Sequence, residues 1–247
     1  MNTPARIVSA LAMFLVIYFG GLNVVPSLAM SLGLYKACPW LFGTSLATQL
    51  AFLVLSLIAA AVIGKGDWRR YGLAGTKASF VVRAVVISAV AMLILMSPMI
   101  LMTLAGPATA EAAPTTQPAP RPSFGHEGLF HTIIFVWLIA STCEEVFYRG
   151  FLQGYLSPLA THALRLRSVR ISLPVAICAL LFGLGHLCLL GMVPTPMLVM
   201  ILISTTTAGL VAGYYRERSS SLIPAIAAHM TFNIVGTMVP FILGSGA

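Results

Sequence analysis

Apolar runs of about twenty residues recur along this chain, separated by short polar stretches. A run of that length crosses the hydrocarbon of a bilayer as a helix, because lipid leaves backbone N–H and C=O groups no partner outside the helix itself. The composition agrees: 59% of the residues are hydrophobic, 8% are charged, and mean hydropathy is +0.97. A soluble domain carries about a quarter charged residues, so that class is excluded. The sequence predicts an all-α, polytopic transmembrane helix bundle.

The spans fall at about Ile7 to Leu28, Trp40 to Ile63, Phe80 to Leu104, Leu129 to Tyr155, Leu173 to Met192, Pro196 to Tyr214 and Leu222 to Leu243. Gly20, Gly21, Asn23 and Pro26 predict a bent or interrupted first span. A cleaved signal peptide is its competing reading, which the continuing apolar run disfavours. The stretch from Ser157 to Leu166 leaves room for an eighth, short or re-entrant segment lying in the interface. The chain divides into three N-terminal spans (1–105), a Pro-rich loop (106–128) and a carboxy-terminal core (129–247). Prolines at 107, 114, 118, 120 and 122 favour extended chain in that loop, an exposed linker or lid on the extracytoplasmic side.

The formal net charge is +8. In a membrane protein this reports topology and gives no reason to invoke nucleic acid, since Lys and Arg collect in short cytoplasmic loops. Arg6, the Lys65 to Arg83 group, the Arg165 to Arg170 group, Arg216 and Arg218 fall on one side of alternating spans, and Lys36 and Arg121 on the other. This predicts an N-terminus in the cytoplasm. The expected location is a membrane, most simply a bacterial inner membrane.

Two of only six acidic residues lie together inside an apolar span, in Ser141-Thr142-Cys143-Glu144-Glu145-Val146-Phe147-Tyr148-Arg149-Gly150. Charge there costs about 2.5 to 3.5 kcal/mol or more per group and faces the bundle interior or a water-filled cavity. Glu145 and Arg149 are one helical turn apart in the favourable order for an ion pair. Glu144 points about 100° away and is left without that partner. His186 in the fifth span, and His229 with Asn233 in the seventh, fall within reach of the same depth at about 1.5 Å of rise per residue. Cys38, Cys143, Cys178 and Cys188 show no metal-ligand spacing, and carboxylates beside Cys143 argue against a thiolate nucleophile. H-E-x-x-H and G-x-S-x-G are absent. No internal repeat of the transporter kind is present.

Glu144-Glu145-x-x-x-Arg149, Phe182-x-x-x-His186 and His229-x-x-x-Asn233, in this order on separate spans, resemble the three motifs of the CAAX-protease and bacteriocin-processing family of intramembrane glutamic endopeptidases. The run Arg218 to His229 resembles that family's approach to its last motif, and the likeness covers about Phe130 to Gly236. It implies that Glu144 is the general base for a water, assisted by His186. It also implies that Glu145 with Arg149 holds the motif and orients His186, and that His229 and Asn233 stabilise the oxyanion. The chemistry is reasonable: a carboxylate sheltered from bulk water can take a proton from water and return it to a leaving amine. His229 and Asn233 share a helix face and can donate to one oxygen. Phe182 packs either against the site or as ordinary core. No cofactor is expected, although a Glu and two His would also suit zinc. The expected partners are membrane lipid and a protein or peptide substrate entering from the bilayer or the cytoplasmic side. The alternative is a non-catalytic immunity or partner-stabilising membrane protein, whose Glu-Arg pair only joins helices.

Overall fold

The computed structural model describes residues 2–37, 46–104, 126–167 and 169–244. Six helices in it are long and apolar enough to cross a membrane: α1 (Thr3–Ser31), α2 (Leu46–Gly64), α3 (Ala78–Leu104), α4 (Gly128–Leu159), α6 (Thr195–Ser219) and α7 (Ile223–Gly244). Between α4 and α6 stands a shorter apolar helix, α5 (Leu173–Leu189). The expected helix bundle is therefore present. The Pro-rich loop, the start of the second span and Cys38 lie outside the described residues.

Each start has a local cause. Asn2 accepts a hydrogen bond from the Ala5 amide at 3.1 Å and Pro4 occupies the first turn of α1. Ser172 caps α5 through the Val175 amide, with Pro174 behind it. The glycines of the first span do not interrupt it. A single widened, π-helical turn at Gly20–Val24 continues α1 past them. The fifth span is shorter than its apolar run implies: regular helix ends at Gly185, and a tight turn, His186–Leu189, leads out of it. After α4 the chain forms a feature the sequence reading lacked, an antiparallel hairpin of β1 (Ala163–Leu166) and β2 (Val169–Ser172).

Helix α4 is the centre of the bundle. Phe147, Phe151, Leu152 and Leu156 are buried to 1% exposure or less. Phe14 of α1 and Phe52 of α2 stack on Phe147 at centroid distances of 5.9 and 5.2 Å. Tyr148 meets Phe182 of α5 edge-on at 5.0 Å. Large apolar side chains point outward instead on α3, where Val82, Ile94 and Leu101 are exposed, as a lipid-facing surface requires.

Arginines close one end of the bundle. Arg6 donates to the Tyr155 carbonyl at 3.0 Å, and Arg70 donates to the carbonyls of Gly154 and Tyr155 at 3.1 and 3.3 Å. The Gly154 carbonyl also accepts from the Ser157 amide, and both carbonyls lie in the last turns of α4, at the negative pole of its dipole. Arg216 in turn donates to the Arg70 carbonyl, and the Leu222 amide to Gly72 at 2.9 Å. The start of α1, the α2–α3 loop, the end of α4 and the α6–α7 turn are thereby gathered at this basic end.

Candidate active site

The acidic stretch of α4 departs from a plain α-helix: short α-helical turns alternate with widened ones at Thr132–Ala140 and Val146–Leu152. Such widening accompanies functional sites in helices. Within it Arg149 Nη1 donates to Glu145 Oε1 at 2.8 Å, both side chains being fully buried. The guanidinium also lies 4.4 Å from the ring centroid of Phe182. Room for it is made by Gly209 of α6, where a Cβ would come within 2.8 Å of Arg149 Nη2 and of the Ala179 Cα.

His229 of α7 enters between the two glutamates. Its Nδ1 donates to Glu145 Oε1 at 2.9 Å, and its Nε2 stands 3.8 Å from Glu144 Oε2. Neighbouring side chains on one helix point about 100° apart, so one ring inserted between them can meet both. Glu144, 17% exposed, also accepts a hydrogen bond from Gln49 Nε2 of α2 at 2.8 Å.

His186 lies where α5 ends. Its Nδ1 donates to the Phe182 carbonyl at 2.9 Å, one of the unpaired carbonyls of that terminus. With the proton on Nδ1, the neutral ring offers Nε2 as an acceptor. Phe182 holds both imidazoles edge-on, at centroid distances of 5.2 Å for His186 and 5.1 Å for His229. It is therefore a spacer between them as well as core. Tyr18 of α1 donates to the Gly185 carbonyl and ties the same turn to the N-terminal helix.

Asn233, one turn beyond His229, donates from Nδ2 to Ser141 Oγ at 3.0 Å and to the Val136 carbonyl at 3.3 Å, joining α7 to α4. His186, His229 and Asn233 line one cavity of about 280 Å³, with Ser204 and Thr205 of α6 opposite. Other lining residues, Ile201, Gly236 and Thr237, lie further from the arginine-rich end. The cavity therefore extends from His229 away from that end.

The six residues singled out from the sequence converge on this site, with two differences in their contacts. Glu145 bonds His229, while His186 is held by the Phe182 backbone, so the expected Glu145–His186 contact is replaced. Glu144 is not isolated, since α2 and α7 both reach it. Gln49 escaped the sequence reading, which looked for ionisable groups. Its signal was a lone primary amide in an apolar run, the kind of group that seeks a partner inside a bundle. Among the described residues no cluster of three or more His, Cys, Asp or Glu side chains is arranged to hold a metal ion.

Neither a curated protein nor a solved structure matches the chain. A family model does match. Residues 126–235, which run into α7 and contain all six residues singled out from the sequence, fit the type II CAAX prenyl endopeptidase Rce1-like family, a CPBP family of proteases.

Proposed function

We propose that the protein is an intramembrane endopeptidase in which Glu144 activates the water that cleaves a peptide bond. Glu144 takes one proton from that water while His186 Nε2 accepts a hydrogen bond from the O–H that remains. The oxygen attacks the scissile carbonyl, and Glu144 returns the proton to the departing amine. His229, held by Glu145, presents Nε2 beside Glu144, and this nitrogen faces the oxyanion as its donor. Asn233 joins as a second donor once substrate draws its amide from Ser141 and Val136. No metal is needed for these steps, and a preparation stripped by strong chelator is expected to keep its activity.

The observation that carries this reading is the placement of His229 in contact with both glutamates, on a cavity it shares with His186 and Asn233. A pair that only neutralised charge within α4 would call for Glu145 and Arg149 alone. The substrate is a membrane-associated or lipid-modified peptide. The family's description points to a prenylated carboxy-terminal tail, and the cavity's course away from the basic end favours access from within the bilayer. The positive-inside rule supports a cytoplasmic basic end and N-terminus, and a bacterial inner membrane is the location this reading assigns.

The test is cleavage of a farnesylated CAAX-tailed peptide and of a transmembrane peptide by protein in lipid nanodiscs, read by mass spectrometry. Cleavage by the wild type that disappears in Glu144→Gln and His186→Ala supports the reading. Undiminished cleavage in those variants rejects it. A biological function that survives Glu144→Gln would favour the non-catalytic alternative.

A further inference from the structure

The hairpin of β1 and β2 belongs to the matched segment in sequence yet contributes nothing to the site. Its register pairs Leu164 with Ile171 and Leu166 with Val169, while Arg165 pairs with Arg170. Side chains alternate faces along a strand, so the four apolar residues share one face and the paired arginines the other. The apolar face is uncovered: Leu164, Leu166 and Val169 are 63%, 55% and 41% exposed. Arg167 holds the turn at a φ of +53°.

In water this hairpin would be a poor one. A two-stranded hairpin is marginal on its own, and like charges directly opposite destabilise it further. Glu217 answers one of its arginines, standing 3.6 Å from Arg170, which also donates to the Ala160 carbonyl. Arg165 and Arg167 have no acidic partner among the described residues. Ser172 bonds Glu217 at the end of α6, so the hairpin lies at the basic end of the bundle, which the positive-inside rule assigns to a membrane surface, where lipid chains give way to headgroups. An apolar face beside unanswered arginines at that level matches acyl chains beside phosphates.

We propose that the hairpin Ala163–Ser172 is an interfacial lipid-binding element, its leucine face lying among acyl chains and Arg165 and Arg167 binding the phosphates of anionic phospholipid. It therefore fixes the depth of the connection between α4, which carries the glutamates, and α5, which carries His186. A basic side chain at an anionic surface contributes enough for about 5-fold in affinity, so two contribute about 25-fold.

Native mass spectrometry of the full chain, titrated with phosphatidylglycerol, tests this. The double variant Arg165→Gln/Arg167→Gln is expected to bind that lipid about 25-fold more weakly. The charge-preserving double variant Arg165→Lys/Arg167→Lys is expected to stay close to wild type, which separates loss of charge from loss of fold. In vesicles containing brominated lipid, a tryptophan introduced by Leu166→Trp is quenched and one introduced by Arg165→Trp much less. Unchanged lipid binding by the Gln variant, an equal loss in the Lys variant, displacement of lipid by soluble glycerol phosphate, or an unquenched Leu166→Trp each overturns the proposal. So would quenching lost through self-association on that face.

Discussion

Glu145 Oε1 accepts hydrogen bonds from His229 Nδ1 at 2.9 Å and from Arg149 Nη1 at 2.8 Å, so one carboxylate oxygen joins α4 to α7 in the buried centre of the bundle. Removing one member of such a buried pair leaves an uncompensated charge, at a cost of about 3 to 5 kcal/mol. Arg149→Ala is therefore expected to lower the melting temperature sharply and to reduce the folded yield in detergent. Glu144→Gln, at a partly exposed position, should melt within a few degrees of wild type. Thermal unfolding of the two variants side by side makes the check. Equal melting would show that the adjacent glutamates are not divided into a structural and a chemical one.

Gln49 reaches Glu144 through one 2.8 Å hydrogen bond. A positioning role of this kind affects turnover more than substrate binding. Gln49→Leu should reduce kcat about 10-fold and leave KM within about 2-fold, since a hydrogen bond to a charged group contributes about 1.5 to 3 kcal/mol. A rise in KM with kcat unchanged would place Gln49 in substrate binding instead.

Helix α6 approaches α5 closely enough that a Cβ at Gly209 would meet the Ala179 Cα and Arg149 Nη2, both at 2.8 Å. Neither backbone nor a paired guanidinium yields easily. Gly209→Ala should cost about 1 to 3 kcal/mol by overpacking, and Gly209→Val more. The same approach at Gly183, whose Cβ would fall 2.0 Å from Thr206 Oγ1, makes Gly183→Ala a second reading of the same contact. Melting temperatures unchanged in both variants would contradict the helix packing described.

Tyr71, in the α2–α3 loop, is 2% exposed, and its hydroxyl has no hydrogen-bond partner among the described residues. Burial pushes its pKa above the ordinary 10.0, against the opposing pull of Arg70. A tyrosine harder to ionise folded than unfolded contributes stability that is whole below the unfolded value and is lost as pH rises past it. Melting should therefore fall between about pH 9 and about pH 11, and Tyr71→Phe should fall less. A variant with the same alkaline loss as wild type would remove Tyr71 as its source.

The charged residues of α4 were legible in the sequence because charge inside an apolar run is costly and so seldom incidental. Glu145 with Arg149 needed only helical periodicity. The contacts of His229 and His186 depended instead on how far α5 extends, and its apolar run hides a helix that ends at Gly185. The hairpin was missed for a related reason. The alternation in Ala-Leu-Arg-Leu is strand-like, yet arginines between two spans were read first as topology. Gln49 lies about a hundred residues from Glu144, and that separation is closed only by packing of α2 against α4, through Phe52 on Phe147. No local pattern encodes it.

The most direct measurement is peptide cleavage in water enriched in oxygen-18, using the farnesylated peptide in nanodiscs with wild type and Glu144→Gln. The account predicts one heavy oxygen in the newly formed carboxylate with wild type, and no cleavage product with the folded Glu144→Gln protein. Product formed by Glu144→Gln at the wild-type rate would contradict it.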